Sequence, residues 1–261
     1  MKGTAMRDNP VRKKLRRGGI ALGQMAFEFF TPGLTRIMAN AGAEFVILDT
    51  EHSGAGIETL KAQAAYARGT GVVPMARVAG THYHLIAPGL DAGIMGIMVP
   101  MVETAEQARK IASWCRYRPD GVRGLAFGMP HDDYAGGDHV AKMKAANDRT
   151  LVIALIETAK GIANADAILA VPGIDVGWLG HFDLTNSLDI DGQFNHPRYD
   201  AAVGKLLKAC GKHGKAAGFL CGDVATGRRY LDRGFRMLCY GTDIAVFQSA
   251  LAQGIAGLKK K

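Results

Sequence analysis

Short apolar runs alternate along the chain with longer amphipathic stretches, which is the pattern of repeated βα units around a parallel sheet. Eight runs read as strands, near residues 20–26, 45–50, 72–78, 95–102, 151–157, 175–180, 216–221 and 236–242. Amphipathic stretches near 33–42, 57–69, 82–92, 104–115, 160–170, 197–213, 223–234 and 243–258 read as helices. Eight such units in 261 residues predict a single (β/α)8 TIM barrel, whereas an open doubly wound sheet would show the same alternation with fewer strands. The widest interval, 116–150, is rich in glycine and carries Pro119 and Pro130. It predicts a long loop with a short helix near 138–146, and a loop of that length in a compact domain is usually functional.

The residues just beyond the strands are more telling than the strands themselves. Phe45-Val46-Ile47-Leu48 runs into Asp49, Thr50, Glu51 and His52; Val72 to Ala76 ends in Arg77; Leu151 to Ile156 delivers Glu157; and Val176 to Gly180 leads on to Asp183. In a parallel barrel such residues converge on one mouth, where polar side chains at strand ends read as catalytic. Unpaired charge is costly there, so this set calls for a cation and an anionic substrate as its balance. Glu157 and Asp183 are two hard oxygen donors from adjacent strands, which favours Mg²⁺ or Mn²⁺, with Co²⁺ also admissible. The alternative for Glu157 is an ordinary carboxylate at a helix N-terminus. Asp49 and His52 have the makings of an oriented acid/base pair, against the alternative of a structural histidine. Arg77 is a permanent cation suited to stabilising an oxyanion or enolate, or a salt-bridge partner of Asp49 or Glu51, and the two roles are compatible.

Other patterns carry less. Asp189-Ile190-Asp191-Gly192 resembles the start of a calcium loop but lacks the acidic twelfth position, and reads as a turn. His82 and His84 are two apart at a helix start, which does not place both rings on one helical face. No strand ends in the lysine that Schiff-base chemistry needs; Lys160 falls on the next helix.

The formal net charge of +8 would suggest a nucleic-acid or membrane partner if it were spread along a face. It is concentrated at the ends: Lys2, Arg7, Arg12, Lys13, Lys14, Arg16 and Arg17 face only Asp8, and Lys259, Lys260 and Lys261 close the chain. The division expected is a basic N-terminal extension over 1–17 and a barrel over 18–261 whose body, 18–258, is nearly neutral, with no nucleic-acid partner. No run approaches the length of a membrane span and no signal-peptide core comes after the basic start. The four cysteines form no C-x-x-C pair, so reduced thiols in a cytoplasmic protein are expected.

Taken in order, Leu48-Asp49-Thr50-Glu51-His52, Met98-Val99-Pro100-Met101-Val102, Gly121-Val122-Arg123-Gly124, Ile156-Glu157-Thr158 and Gly180-x-x-Asp183-Leu184 resemble the HpcH/HpaI aldolase family, over a span from about Gly19 to Gly241. The resemblance implies a barrel of the phosphoenolpyruvate/pyruvate type and a metal-dependent class II aldolase similar to 4-hydroxy-2-oxoheptanedioate aldolase. It implies Glu157 and Asp183 as metal ligands, His52 and Asp49 as the acid/base pair, Arg77 as the enolate-stabilising arginine, and Asp91 as an aspartate near a subunit interface. The backbone of Gly180, His181, Phe182 and Asp183 would hold the substrate carboxylate. A 2-oxo acid and an aldehyde are the implied small-molecule partners. A hexamer with an exchanged last helix is the implied assembly. A citramalyl or malyl thioester lyase of the same superfamily is the alternative enzyme. Leu155 stands where many members have glutamine, His181 replaces a proline, and the first strand lacks a tryptophan; these departures bear on acceptor choice.

Overall fold

The computed structural model describes residues 6–259. Lys2, Lys260 and Lys261, part of the basic ends, lie outside the described residues. The strands are β1 (Ala21–Ala26), β2 (Phe45–Asp49), β3 (Val73–Arg77), β4 (Gly96–Val99), β5 (Leu151–Ile156), β6 (Val176–Leu179), β7 (Ala216–Cys221) and β8 (Met237–Thr242). All neighbours pair in parallel in chain order, and β1 pairs β8, so the sheet closes as a (β/α)8 barrel. The helices are α1 (Pro10–Arg16), α2 (Leu34–Asn40), α3 (Ile57–Tyr66), α4 (Tyr83–Asp91), α5 (Ala105–Trp114), α6 (His139–Arg149), α7 (Ala159–Ala163), α8 (Ala165–Leu169), α9 (His181–Ser187), α10 (Pro197–Lys212), α11 (Val224–Asp232) and α12 (Asp243–Lys259).

The strand period of two separates two cores. Phe45, Ile47, Val73, Met75, Leu151, Ile153, Leu155, Val176 and Trp178 fill the barrel, while Val46, Leu48, Ala76, Val152, Ala154 and Ile156 face the helices. Continuing the inward parity by one step puts Asp49, Arg77, Glu157 and Gly180 at the mouth, and the register pairs Asp49 directly with Arg77. Gly218 is required because the Trp178 ring lies where a side chain would begin.

Two regions differ from the pattern-based expectation, and a third follows it. The segment expected as a basic extension is part of the fold: Asn9 caps α1 by accepting from the Arg12 amide, Pro10 occupies the first turn, and Val11 and Leu15 close the barrel floor. Three of its cations are paired, Arg7 with Asp133, Lys13 with Asp8 and Lys14 with Glu44. The helix expected over 160–170 is two short helices broken at Asn164, whose side chain donates to the Glu103 carbonyl. The interval 116–150 is the expected long loop with a helix, α6, near its end, and it is pinned: Asn147 bonds the Tyr117 backbone in both directions, and Asp132 accepts from Lys142 and two amides.

All four cysteines are buried and free. Among the described residues no helix is long and apolar enough to cross a membrane. Helix α12 buries only Asp243 and leaves Phe247, Leu251, Ile255 and Leu258 exposed.

Candidate active site

A cavity of about 350 Å³ opens at the C-terminal ends of the strands, lined by His52, Arg77, Glu157, Gly180, His181 and Asp183 among others. The mouth of the barrel is therefore where His52, Arg77, Glu157 and Asp183 meet, the position that parallel-strand ends dictate.

Asp49 is fully buried and points at Arg77, whose Nε lies 2.5 Å from Asp49 Oδ1 and 3.2 Å from Glu51 Oε2. Asp49 also accepts from the backbone amides of Glu51 and His52. The pairing expected between Asp49 and the His52 ring is thus replaced by a different one. Asp49 is captured by the cation directly across the register, and the His52 imidazole, largely exposed, has its Nε2 3.7 Å from Glu51 Oε2. Burial pushes the Glu51 carboxyl up, opposed by Arg77 and His52. Arg77 is both a salt-bridge partner and a cavity residue, and its guanidinium sits over the Phe27 ring at 5.4 Å.

Glu157 is buried, with Oε1 accepting from the Met101 amide at 2.8 Å. Met101 takes a left-handed conformation, φ 54°, which is uncommon for a residue with a side chain and marks a backbone held for a purpose. Burial, with Asp183 and Glu51 adding to it, pushes the Glu157 carboxyl up to about 7. Gly180 lies so close that a Cβ there would collide with Glu157 Oε2, so only glycine leaves that oxygen its place.

Asp183 stands in the first turn of α9, a helix the sequence pattern did not predict. The Gly180 amide donates to the Ile156 carbonyl and is used by the sheet, while those of His181, Phe182 and Asp183 find no backbone partner among the described residues. The His181 ring packs among Phe182, Phe194 and Phe219, and burial drives its pKa down to about 4, so it is a neutral wall at pH 7. Phe182 is exposed at the rim.

Asp91 does not come to this mouth. It ends α4 on the opposite side of the sheet and pairs at 2.5 Å with Arg123, which itself covers the Tyr117 ring. A residue that pattern reading passed over is Asp243, whose carboxylate accepts from the amides of Phe27, Glu28 and Phe29 and so fixes the rim beside Arg77. Its signal was present: an acid directly after β8, as Asp49 ends β2.

Among the described residues no cluster of three or more His, Cys, Asp or Glu side chains forms a closed metal cage. Glu157 and Asp183 nevertheless fit an open site for a hard cation: both are carboxylates on one cavity, no thiolate lines it, and the raised Glu157 carboxyl is what a buried ligand without its counter-charge shows.

The family model for HpcH/HpaI aldolase/citrate lyase matches residues 27–250. A hydroxypyruvate/pyruvate aldolase of Roseovarius nubinhibens is 33% identical over 250 residues, covering 95% of this chain and 96% of its own length. A 5-keto-4-deoxy-D-glucarate aldolase of Klebsiella pneumoniae is 33% identical over 230 residues, 88% of this chain and 89% of that one. The crystal structure of an HpcH/HpaI aldolase from Desulfitobacterium hafniense superposes with a TM-score of 0.91 at 30% identity, covering 96% of each chain. With that shared barrel and these aldolase relatives, the chain is an enzyme of the aldehyde-lyase type and belongs to the HpcH/HpaI aldolase/citrate lyase family.

Proposed function

We propose that the protein is a divalent-metal-dependent aldolase that reversibly cleaves a 4-hydroxy-2-oxo acid to pyruvate, or a related 2-oxo acid, and an aldehyde. The observation that carries this reading is the single mouth cavity on which the Glu157 and Asp183 carboxylates, the Arg77 guanidinium and the His52 imidazole all open. Mg²⁺ or Mn²⁺ held by Glu157 and Asp183 would supply the electron sink for carbon–carbon cleavage.

The chain's own groups do the rest. The free amides of His181, Phe182 and Asp183 receive the substrate carboxylate. His52, with Glu51 3.7 Å from its ring, takes the proton from the C4 hydroxyl, directly or through one water, as the C3–C4 bond breaks and the aldehyde leaves. The electron pair of that bond becomes the enolate of pyruvate, whose charge Arg77 faces. Protonation at C3 completes pyruvate. Because the relatives include a hydroxypyruvate/pyruvate aldolase, the direct test is a screen of aldehydes with pyruvate and with hydroxypyruvate, each with Mg²⁺, Mn²⁺ and Co²⁺. Absence of both aldol product and pyruvate C3 deuterium exchange under all three metals would overturn the assignment. The exposed apolar residues of α12 and an apolar groove lined by Leu22, Ile37, Met38 and Tyr240 support a homo-oligomer in which that helix covers the neighbouring copy.

Arg77→Ala is expected to lower kcat by about 10²-fold or more, the loss that comes from removing one oriented oxyanion donor. Arg77→Lys recovers part of it, keeping the charge and losing the planar fork. Oxalate, a flat mimic of the enolate, should bind the alanine variant more weakly. The same change strips fully buried Asp49 of its counter-ion, so a fall in melting temperature accompanies it. Full kcat and oxalate affinity in Arg77→Ala would reduce Arg77 to a structural role.

Proton binding at Glu157 makes a separate expectation. Its folded pKa of about 7 lies above the ordinary 4.5, so between those values the folded state holds a proton that the unfolded chain has released. Without metal, stability should therefore fall as pH rises from 5 to 7.5, by on the order of 2–3 kcal/mol. Glu51, shifted the same way, adds to the slope. Thermal melts of chelated wild type and of Glu157→Gln measure this: the variant should show a clearly shallower pH dependence. Equal slopes would show that Glu157 is already ionised in the empty site.

A further inference from the structure

On the face opposite the mouth, four cations from three separate segments gather around one carboxylate. Arg12 and Arg16 project from α1, Arg116 comes just after α5, and Lys215 lies on the turn into β7. Asp175, on the turn into β6, is 3.0 Å from Arg12 Nε, 3.5 Å from Arg116 Nη2 and 3.8 Å from Arg16 Nη2, and its Oδ2 also accepts from the Val152 amide. The Arg12 and Arg116 side chains are only 5% and 6% exposed. Their remaining bonds go to carbonyls, of Asp148 for Arg12 and of Thr150 and Gly173 for Arg116, which satisfy donors and neutralise nothing. Lys215 is half-buried and has no carboxylate within 4.0 Å among the described residues. One negative charge thus serves three guanidiniums and leaves an ammonium unmatched.

Two of these cations are desolvated, and buried charge is tolerated only when paired. Burial pushes the Lys215 ammonium below its ordinary range, opposed by Asp175 and reinforced by Arg16, Arg12 and Arg116, and burial does the same to Arg116, again against Asp175. Between Arg12, Arg16, Asp175 and Lys215 lies a cavity of about 80 Å³ that shares no residue with the mouth cavity. A water takes about 30 Å³ of liquid, so the space suits one tetrahedral oxyanion, or two or three waters. Arginine forks with a lysine beside them are the donor set that phosphate recognition uses.

We propose that this floor cavity is an anion site for a phosphate group, either the free ion or the phosphate of a small ester, with Arg16 and Lys215 as its outer ligands and Arg12 as its buried one. A dianion there would offset two of the three positive charges that Asp175 leaves uncompensated, where a chloride or a monocarboxylate would offset one. Binding to the folded state alone raises stability with ligand concentration.

The test is a thermal melt of the whole chain against inorganic phosphate and, separately, glycerol 3-phosphate, each compared with chloride at the same ionic strength. The wild type should show a saturable rise specific to one or both phosphates. A response to inorganic phosphate alone identifies the free ion as ligand, and a response at lower concentration to glycerol 3-phosphate identifies the esterified group. Lys215→Met and Arg16→Ala should each weaken the response at least tenfold in concentration while leaving pyruvate C3 exchange unchanged. Without phosphate, Lys215→Met should melt higher than wild type, since it removes unmatched charge; a lysine with a purely structural role would lower it. No rise beyond chloride in the wild type, or an undiminished rise in both variants, would overturn the proposal.

Discussion

Glu157→Ala and Asp183→Ala should each abolish Mn²⁺ binding and turnover while leaving the barrel folded. Each removes one of two carboxylates on the mouth cavity, and an open site with one remaining protein ligand cannot hold a hard cation that water solvates well. The fold should survive because the Glu157 carboxyl, pushed up to about 7, is near half protonated at neutral pH in the empty site, so its loss leaves no stranded buried charge. What it does leave is the Met101 amide without its acceptor, at a cost of about 1–3 kcal/mol. Glu157→Gln keeps an oxygen for that amide and separates the two effects: its melting temperature should exceed that of the alanine variant, while its Mn²⁺ affinity should still collapse. Calorimetric titration reads the binding. Undiminished Mn²⁺ affinity in both the Glu157 and Asp183 variants would move the metal elsewhere.

The barrel was legible because its strands obey one rule twice over. Alternate apolar residues fill the interior, and the position one step beyond the last of them is Asp49, Arg77 or Glu157. A parity argument along the chain therefore finds the mouth without knowledge of the fold. It offers partners, Asp49 or Glu51 for Arg77, without choosing among them. That Asp49 binds Arg77, leaving Glu51 to face the imidazole, comes from the β2–β3 register, and register is a property of two strands. Helix α9 escaped notice because seven residues beginning His-Phe-Asp show no helical stripe, yet its first turn holds Asp183. The N-terminal segment misled in the opposite sense. Its charge suggested a tail, while Asn9-Pro10 and the Val11, Leu15 spacing were ordinary signals of a capped amphipathic helix, which the structure lays across the floor.

His52→Ala should lower the rate of aldol cleavage by about 10²–10⁴-fold, the range for a lost general acid/base, and leave Mn²⁺ affinity near that of the wild type. The geometry favours a mobile proton carrier: the ring lines the cavity, its side chain is 61% exposed, and among the described residues the carboxylate within 4.0 Å of the ring is Glu51, at 3.7 Å. Exposure also means that the substitution removes little packing, so a large loss of rate would not trace to misfolding. The decisive comparison is between two reactions of the same site. Cleavage requires a group to accept the C4 hydroxyl proton, whereas deuterium exchange at C3 of pyruvate involves no C4 hydroxyl and draws chiefly on enolate stabilisation. His52→Ala should therefore depress cleavage far more than exchange, and Arg77→Ala should depress both. A wild-type cleavage rate would remove His52 from the mechanism. Equal losses in the two reactions would instead make the imidazole part of the enolate's surroundings, and the hydroxyl proton would have to leave through Glu51.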